Sequence, residues 1–436
     1  MERKQNTPGA VNSIYDIENI CRSENMDTYC IRQEKKESLE LFFVKKKLDL
    51  HRKVMVNHFY VTVYRPFEKD GVQMLGSASI SFPGGYCVKE VEEKLRSAYL
   101  GASFIENKAY PLAALEDNEQ KEEMEKRVGS ILDFNQCAHQ MVQALYLYDN
   151  QEKTWINSAE LFFINKSEHI LNSNGVDVEF QSSKVKGEFV TQSTEQEDVE
   201  LYHDFCYEGA SEEEQRDLTV KVREALEMTK ARSKATRRNL RGKMKIILSQ
   251  QYVGELMDYY VENSSAKMIY AGYSQFQAGD NVQEGGSTVN ISLHSHRPYS
   301  PEGIYMKDIC MMKGGILKNI HGDLRYSYYL GQEPTGVFDC VRMEAGEVCV
   351  EEMKQGNFLH IVSFSDFQVD TLSGFFGGEI RLAYYKEGDN IYPVTGGTIS
   401  GNLNEQGDSI CCSKEMQHQF GFEGPMAISL EQVTVG

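Results

Sequence analysis

The side chains able to do chemistry are few and scattered. His294-x-His296 sets two imidazoles two residues apart, which on a strand places them on one face, as a metal pair would require. A third ligand would have to come from His321 or a distant carboxylate, so a structural pair of histidines is the reading adopted. Cys411 and Cys412 are adjacent thiols. Adjacent cysteines rarely share one metal tetrahedron, and a buried helical pair is expected of them, with metal binding kept as the alternative. Lys230–Lys245 (KARSKATRRNLRGKMK) holds eight basic residues and no acid. It reads as a phosphate or acidic-partner patch, or as a solvated helix end and linker. The second is adopted, because no aromatic side chain interleaves the charges. There is no G-x-x-x-x-G-K-[ST], no G-x-S-x-G and no H-E-x-x-H, so a phosphate loop, a serine-hydrolase elbow and a zincin helix are all missing.

Those groups must be carried by a large, ordinary-looking soluble framework. The chain has 436 residues, 41% hydrophobic and 25% charged, enough for two or three domains with real cores. Its net charge of −19 argues against a domain that coats nucleic acid. No apolar run approaches a membrane span, and the first twenty residues lack an apolar stretch, so no secretory signal is expected. Ten dispersed cysteines without a C-x-x-C suit reduced thiols and a cytoplasmic setting rather than a disulfide framework.

Helical periodicity predicts helices over Val88–Ala102 and Glu212–Lys234, and a helix or helix pair over Asn118–Tyr148. Strand patterns cover His58–Tyr64, Gly76–Phe82, Ala159–Ile164, Glu168–Leu171 and Val176–Phe180, with Asn172-Ser173-Asn174-Gly175 as a tight turn. Most of the 35 glycines follow Ala235, among short strand-like runs that include Met268–Tyr273. Met244–Leu248 reads as a buried strand leading into a helix from Gln250 to about Glu262, with an apolar face of Tyr252, Val253, Leu256, Met257 and Tyr260. The expected fold class is α+β, with mixed sheet-and-helix units first and a β-rich C-terminal domain with few helices last. The divisions are an extension over 1–35, α+β units over 36–110 and 111–235, and the β-rich domain over 236–436.

One pair of strings adds a resemblance. Asp370-Thr371-Leu372-Ser373-Gly374-Phe375-Phe376-Gly377-Gly378 and Ile391-Tyr392-Pro393-Val394-Thr395-Gly396-Gly397-Thr398-Ile399-Ser400-Gly401-Asn402 resemble the C-terminal signature of the TldD/PmbA family, whose members are called modulators of DNA gyrase and regarded as metallopeptidases. Ser167–Val176, Lys245–Leu256, Ser300–Lys318 and Gly424–Gly436 are similar to other family segments in the same order, so the likeness covers roughly residues 36–436. In the family's metal-binding branch the helix after the buried strand opens with H-E-x-x-x-H, two zinc ligands and a general base. Aligned on Val253-Gly254, this chain has Gln250, Gln251 and Glu255 there. Glutamine is a poor zinc ligand and has no useful basicity, so no catalytic set is intact, and a late thiol at Cys411 or Cys412 does not restore one.

The resemblance therefore implies the metal-free, PmbA- or TldE-like branch: a subunit without a cofactor that binds unfolded peptide and partners a TldD-type metallopeptidase, which would carry the zinc, or forms a homodimer. Gly254, Glu255, Ser373, Gly374, Gly377 and Gly378 are the candidate cleft residues, the glycine-rich strands being expected to offer edges for strand addition. One alternative is an independent hydrolase built on His294, His296, Cys411 or Cys412. Another is a DNA- or gyrase-modulating protein acting through Lys230–Lys245. No membrane role is expected.

Overall fold

The computed structural model describes residues 9–115, 131–150, 152–283, 285, 288–419 and 421–436. Helix α1 (Ile14–Ser23) starts on a capping box between Ser13 and Asp16. Strands β1 (Thr28–Val44), β2 (Lys47–Lys69) and β3 (Val72–Pro83) form a meander and are followed by α2 (Val88–Ala102), with the predicted bounds. After it come α3 (Phe134–Tyr146), β4 (Thr154–Asn172), β5 (Asp177–Ser193) and β6 (Val199–Tyr207). The predicted helical residues 118–130 lie outside the described residues.

These six strands form one antiparallel sheet in the order β3-β2-β1-β4-β5-β6. β1 begins inside the segment set apart as an extension and pairs with β4 from Cys30↔Asn172 to Val44↔Ser158, so neither residue 35 nor residue 110 coincides with a break in the sheet. The two short strands read at Ala159–Ile164 and Glu168–Leu171 are one strand. Their polar interruption, Asn165-Lys166-Ser167, is half-buried and stays in register with β5. Gly175 turns the β4–β5 hairpin at φ 96°, with the Asn172 side chain accepting from the Asn174 and Val176 amides.

Alternation along these strands gives the sheet two different faces. On one, α1 and α2 cover Ile31, Phe59, Val61 and Val63, while α3 and α4 (Glu212–Lys234) cover Leu41, Phe43, Leu161 and Phe163. Helix α4 is fixed at its start by a capping box of Ser211 and Glu214, and three acids in its first turn complement the dipole. On the other face, Ile170, Val178 and Phe180 meet Tyr299, Ile304 and Leu324 of the C-terminal part.

That part begins with β7 (Thr236–Arg237), β8 (Gly242–Ser249) and helix α5 (Gln251–Asn263). Strands β9 (Ile291–His294), β10 (Ile309–Lys313), β11 (Ile316–Leu317), β12 (Cys340–Met343), β13 (Phe358–Val369), β14 (Phe375–Glu387) and β15 (Asn390–Thr395) follow. The last are β16 (Thr398–Asn402), β17 (Cys411–Cys412), β18 (Met416–Gln419), β19 (Phe422–Pro425) and β20 (Ala427–Val435). One sheet runs β11-β10-β9-β12-β19-β18. In the other, β8, β20, β16, β14 and β13 each pair with the next, and β13 pairs back onto β8, closing a five-stranded ring. Helix α5 packs the predicted face (Tyr252, Val253, Leu256, Met257, Tyr260) into the core between these sheets.

Two local expectations fail. Met268–Tyr273 is not a strand: Ala266–Tyr270 is a short helix whose N-cap, Ser265, accepts from the Met268 amide. Cys411 and Cys412 are not helical but form β17 against β20. The α+β class and β-rich last part hold. All ten cysteines are free, and among the described residues no helix is long and apolar enough to cross a membrane.

Candidate functional site

The start of α5 holds one of the few non-glycine residues with positive φ among the described residues. Buried β8 runs through Ser249 into Gln250, at φ 61° and ψ −140°, a region that side chains other than glycine avoid, and the helix follows at once. The turn is tied down from several directions. Ser249 Oγ lies 3.2 Å from His360 Nε2, Gln417 Nε2 donates to the Gln250 carbonyl at 3.0 Å, and the Gln250 amide side chain reaches Met228 Sδ of α4 at 3.5 Å. Gln251 is exposed. Gly254 lets Phe422 of β19 pass close by, since a Cβ there would sit 3.0 Å from the ring and push it aside by a few tenths of an ångström.

Glu255 is half-buried, and burial reinforced by Asp258 pushes its carboxyl up to about 7. Desolvation by the surrounding chain and Glu262 raise Asp258 to about 6, although its side chain is exposed at the surface. The start of the helix thus offers two amides and a carboxyl that holds its proton near neutrality. A zinc ion does not fit that donor set. Neither amide is a good ligand, and a carboxyl that resists ionisation is the reverse of what a cation site needs. Cys411 and Cys412 do not help: β17 lies beyond β20 from β8, two strand spacings or roughly 10 Å away, and burial drives the Cys412 thiol up to about 12.

The other cleft candidates have structural duties. Asp370 accepts from Leu372 N and Ser373 Oγ, which hold its carboxyl below the usual range, and Gly374 turns the chain at φ 74°. Asn402 and Asn404 donate to the Ser373 carbonyl at 3.1 and 3.0 Å, and Tyr259 of α5 donates to Asn404 at 2.9 Å, so this turn is locked to the helix. Gly377 and Gly378 lie inside the ring, paired with β13 on one side and β16 on the other. A Cβ on either would strike neighbouring backbone oxygens. The expectation of an open edge there is therefore corrected: their hydrogen bonds are already made.

His294 and His296 do share a face, their rings 5.0 Å apart. His294 Nδ1 lies 2.7 Å from Asp308, and His296 Nδ1 lies 3.0 Å from Asp339. His321 is elsewhere, bonded to the Val261 carbonyl. What gathers around His296 is Cys340 and Glu423, one ligand atom of each lying within 4.8 Å of the others. Sequence reading missed both, because they come from separate strands and neither carries a local motif. The only signal was the two-residue spacing of the histidines. His296, Arg297 and Asp339 also line a cavity of about 1080 Å³ against the open face of the first sheet, where Glu34, Lys36, Lys166, Glu168 and Lys184 alternate in charge.

Residues 241–436 match the PmbA/TldA metallopeptidase C-terminal domain. This C-terminal domain belongs to the PmbA/TldD family. No curated protein matches the chain. Among solved structures, a protein of Thermotoga maritima described as a candidate modulator of a DNA gyrase is similar at 16% identity and a TM-score of 0.75, over 97% of this chain and 100% of that one. TldE from Thermococcus kodakarensis is similar at 14% identity and TM-score 0.72, over 97% and 100%. A candidate DNA gyrase modulator of Bacteroides thetaiotaomicron matches at 13% and 0.74, over 96% and 97%. At such identities the likeness is one of fold, and it covers the N-terminal sheet as well as the C-terminal part.

Proposed function

We propose that this chain is the member of a PmbA/TldD-type pair that lacks the catalytic metal site, and that it binds unfolded peptide and presents it to a zinc-bearing TldD-type partner. The observation that carries this reading is the start of α5. Strand, strained turn and helix are built as for a site, yet Gln250, Gln251 and Glu255 supply neither zinc ligands nor a base. The likeness to a TldE supports it. The cavity beneath the first sheet is the natural peptide channel, since its alternating charges and apolar Phe162 and Ile164 suit a chain of mixed sequence. Strand addition, if used, must take an edge other than Gly377–Gly378, such as Lys47–Asn57 of β2, which β3 leaves uncovered. The gyrase-directed description of two relatives is opposed here by the net charge of −19.

Co-expression with a chain carrying H-E-x-x-x-H tests the reading. A stable complex should cleave unfolded peptides, with activity removed by chelation, while this chain alone should be inert. Chelator-sensitive turnover by the purified chain alone overturns the proposal.

A further inference from the structure

We propose that His296, Cys340 and Glu423 form a binding site for one zinc-class divalent ion, on the cavity side of the β9–β12–β19 strands and separate from the start of α5. The strand pairings assemble it. Cys340 of β12 lies opposite His294 of β9, Arg342 lies opposite Glu423 of β19, and His296 follows His294 on the same face. The alternate residues Leu293, Met343 and Phe422 point the other way, into the core under α5. The three ligand atoms lie within 4.8 Å of one another. Zinc bonds of about 2.0–2.3 Å imply a tetrahedral edge of roughly 3.5 Å, so closure needs side-chain rotation of about an ångström and no backbone rebuilding.

The surroundings are those of a metal ligand set. Asp339 accepts from the His296 backbone amide and faces Nδ1, both at 3.0 Å, which orients the ring and leaves Nε2 for the ion. Nε2 lies 3.5 Å from Glu208. Binding Cys340 as a thiolate releases its proton to solvent. Arg342 competes for Glu423, with Nε on one oxygen at 2.8 Å and Nη2 on the other at 3.4 Å. It also holds Asp308 at 3.2 Å, so Glu423 can turn its looser oxygen to the ion without stranding the guanidinium. Thiolate with imidazole selects a zinc-class ion over magnesium or calcium. Of the three, His296 also lines the cavity of about 1080 Å³, which gives an ion or a fourth ligand a way in.

Cobalt(II) is the probe. Titrated into the metal-stripped full chain, it should bind at one equivalent with a thiolate-to-cobalt charge-transfer band, release a proton, and be displaced by zinc. Cys340→Ser should abolish the band, and His296→Ala and Glu423→Gln should each weaken binding by at least about tenfold. Cys411→Ser should leave the band intact. Should Cys340→Ser fail to fold by circular dichroism, the two half-buried positions carry the test. No stoichiometric binding, or a band that survives in Cys340→Ser or is unmoved by the other two variants, overturns the site. Turnover by the zinc-loaded chain alone would overturn the partner-subunit reading while supporting this site, so the two fail separately.

Discussion

Glu255 lies one turn into α5, and its protonation state decides what the start of that helix can offer. With the folded value raised from 4.5 to about 7, it is still about half protonated at neutrality. The unfolded chain gives up this proton first. Stability therefore falls as pH rises from about 4.5 to about 7 and is level above that. Glu255→Gln removes the penalty. Urea midpoints should show the variant more stable than the parent by on the order of 1–2 kcal/mol at pH 8, solvent access trimming the full shift, and matched to it at pH 4. Equal midpoints at both pH values would mean that the carboxyl ionises normally.

At the scale of elements, the junction of β8 with α5 stores strain in Gln250, whose φ of 61° with ψ of −140° belongs to glycine. Gln250→Gly should raise the melting temperature, by about 1 kcal/mol of stability, since the side chain contributes only a sulfur contact with Met228. An unchanged or lower melting temperature would refute the strain. That geometry was invisible in the sequence, where Gln250 looked like an ordinary first helical residue. Elements with strong periodicity and caps were legible: α2 and α4 have the predicted bounds, and the apolar face of α5 is the buried one. Short apolar runs were not. Met268–Tyr273 has strand-like composition, but the Ser265 cap decided for helix. Cys340 and Glu423 could not be read because only the pairing of β12 with β9 and β19 brings them beside His296.

At the scale of the molecule, the two halves are joined through Glu168. It is 1% exposed, its Oε1 accepts from Arg32 at 3.2 Å and, from the C-terminal part, from Arg297 at 2.8 Å, and its Oε2 lies 3.1 Å from the Lys166 ammonium as an ion pair. Glu168→Gln leaves three cations around a neutral amide and should cost about 3 kcal/mol, with faster amide exchange along β4 and around Arg297. Exchange rates equal to the parent's would show that the apolar contacts of Phe180 with Tyr299 hold the halves without it. The five-stranded ring has a different consequence, for synthesis. β8 finds one neighbour in β13 and the other in β20, Leu248 pairing with both Ile361 and Ile428. A nascent chain leaving the ribosome therefore carries the apolar strand Ile246-Ile247-Leu248 without its full set of partners until nearly two hundred further residues have emerged. Such late closure is slow and invites aggregation, so chaperone demand during translation should fall on this domain more than on the locally paired meander before it.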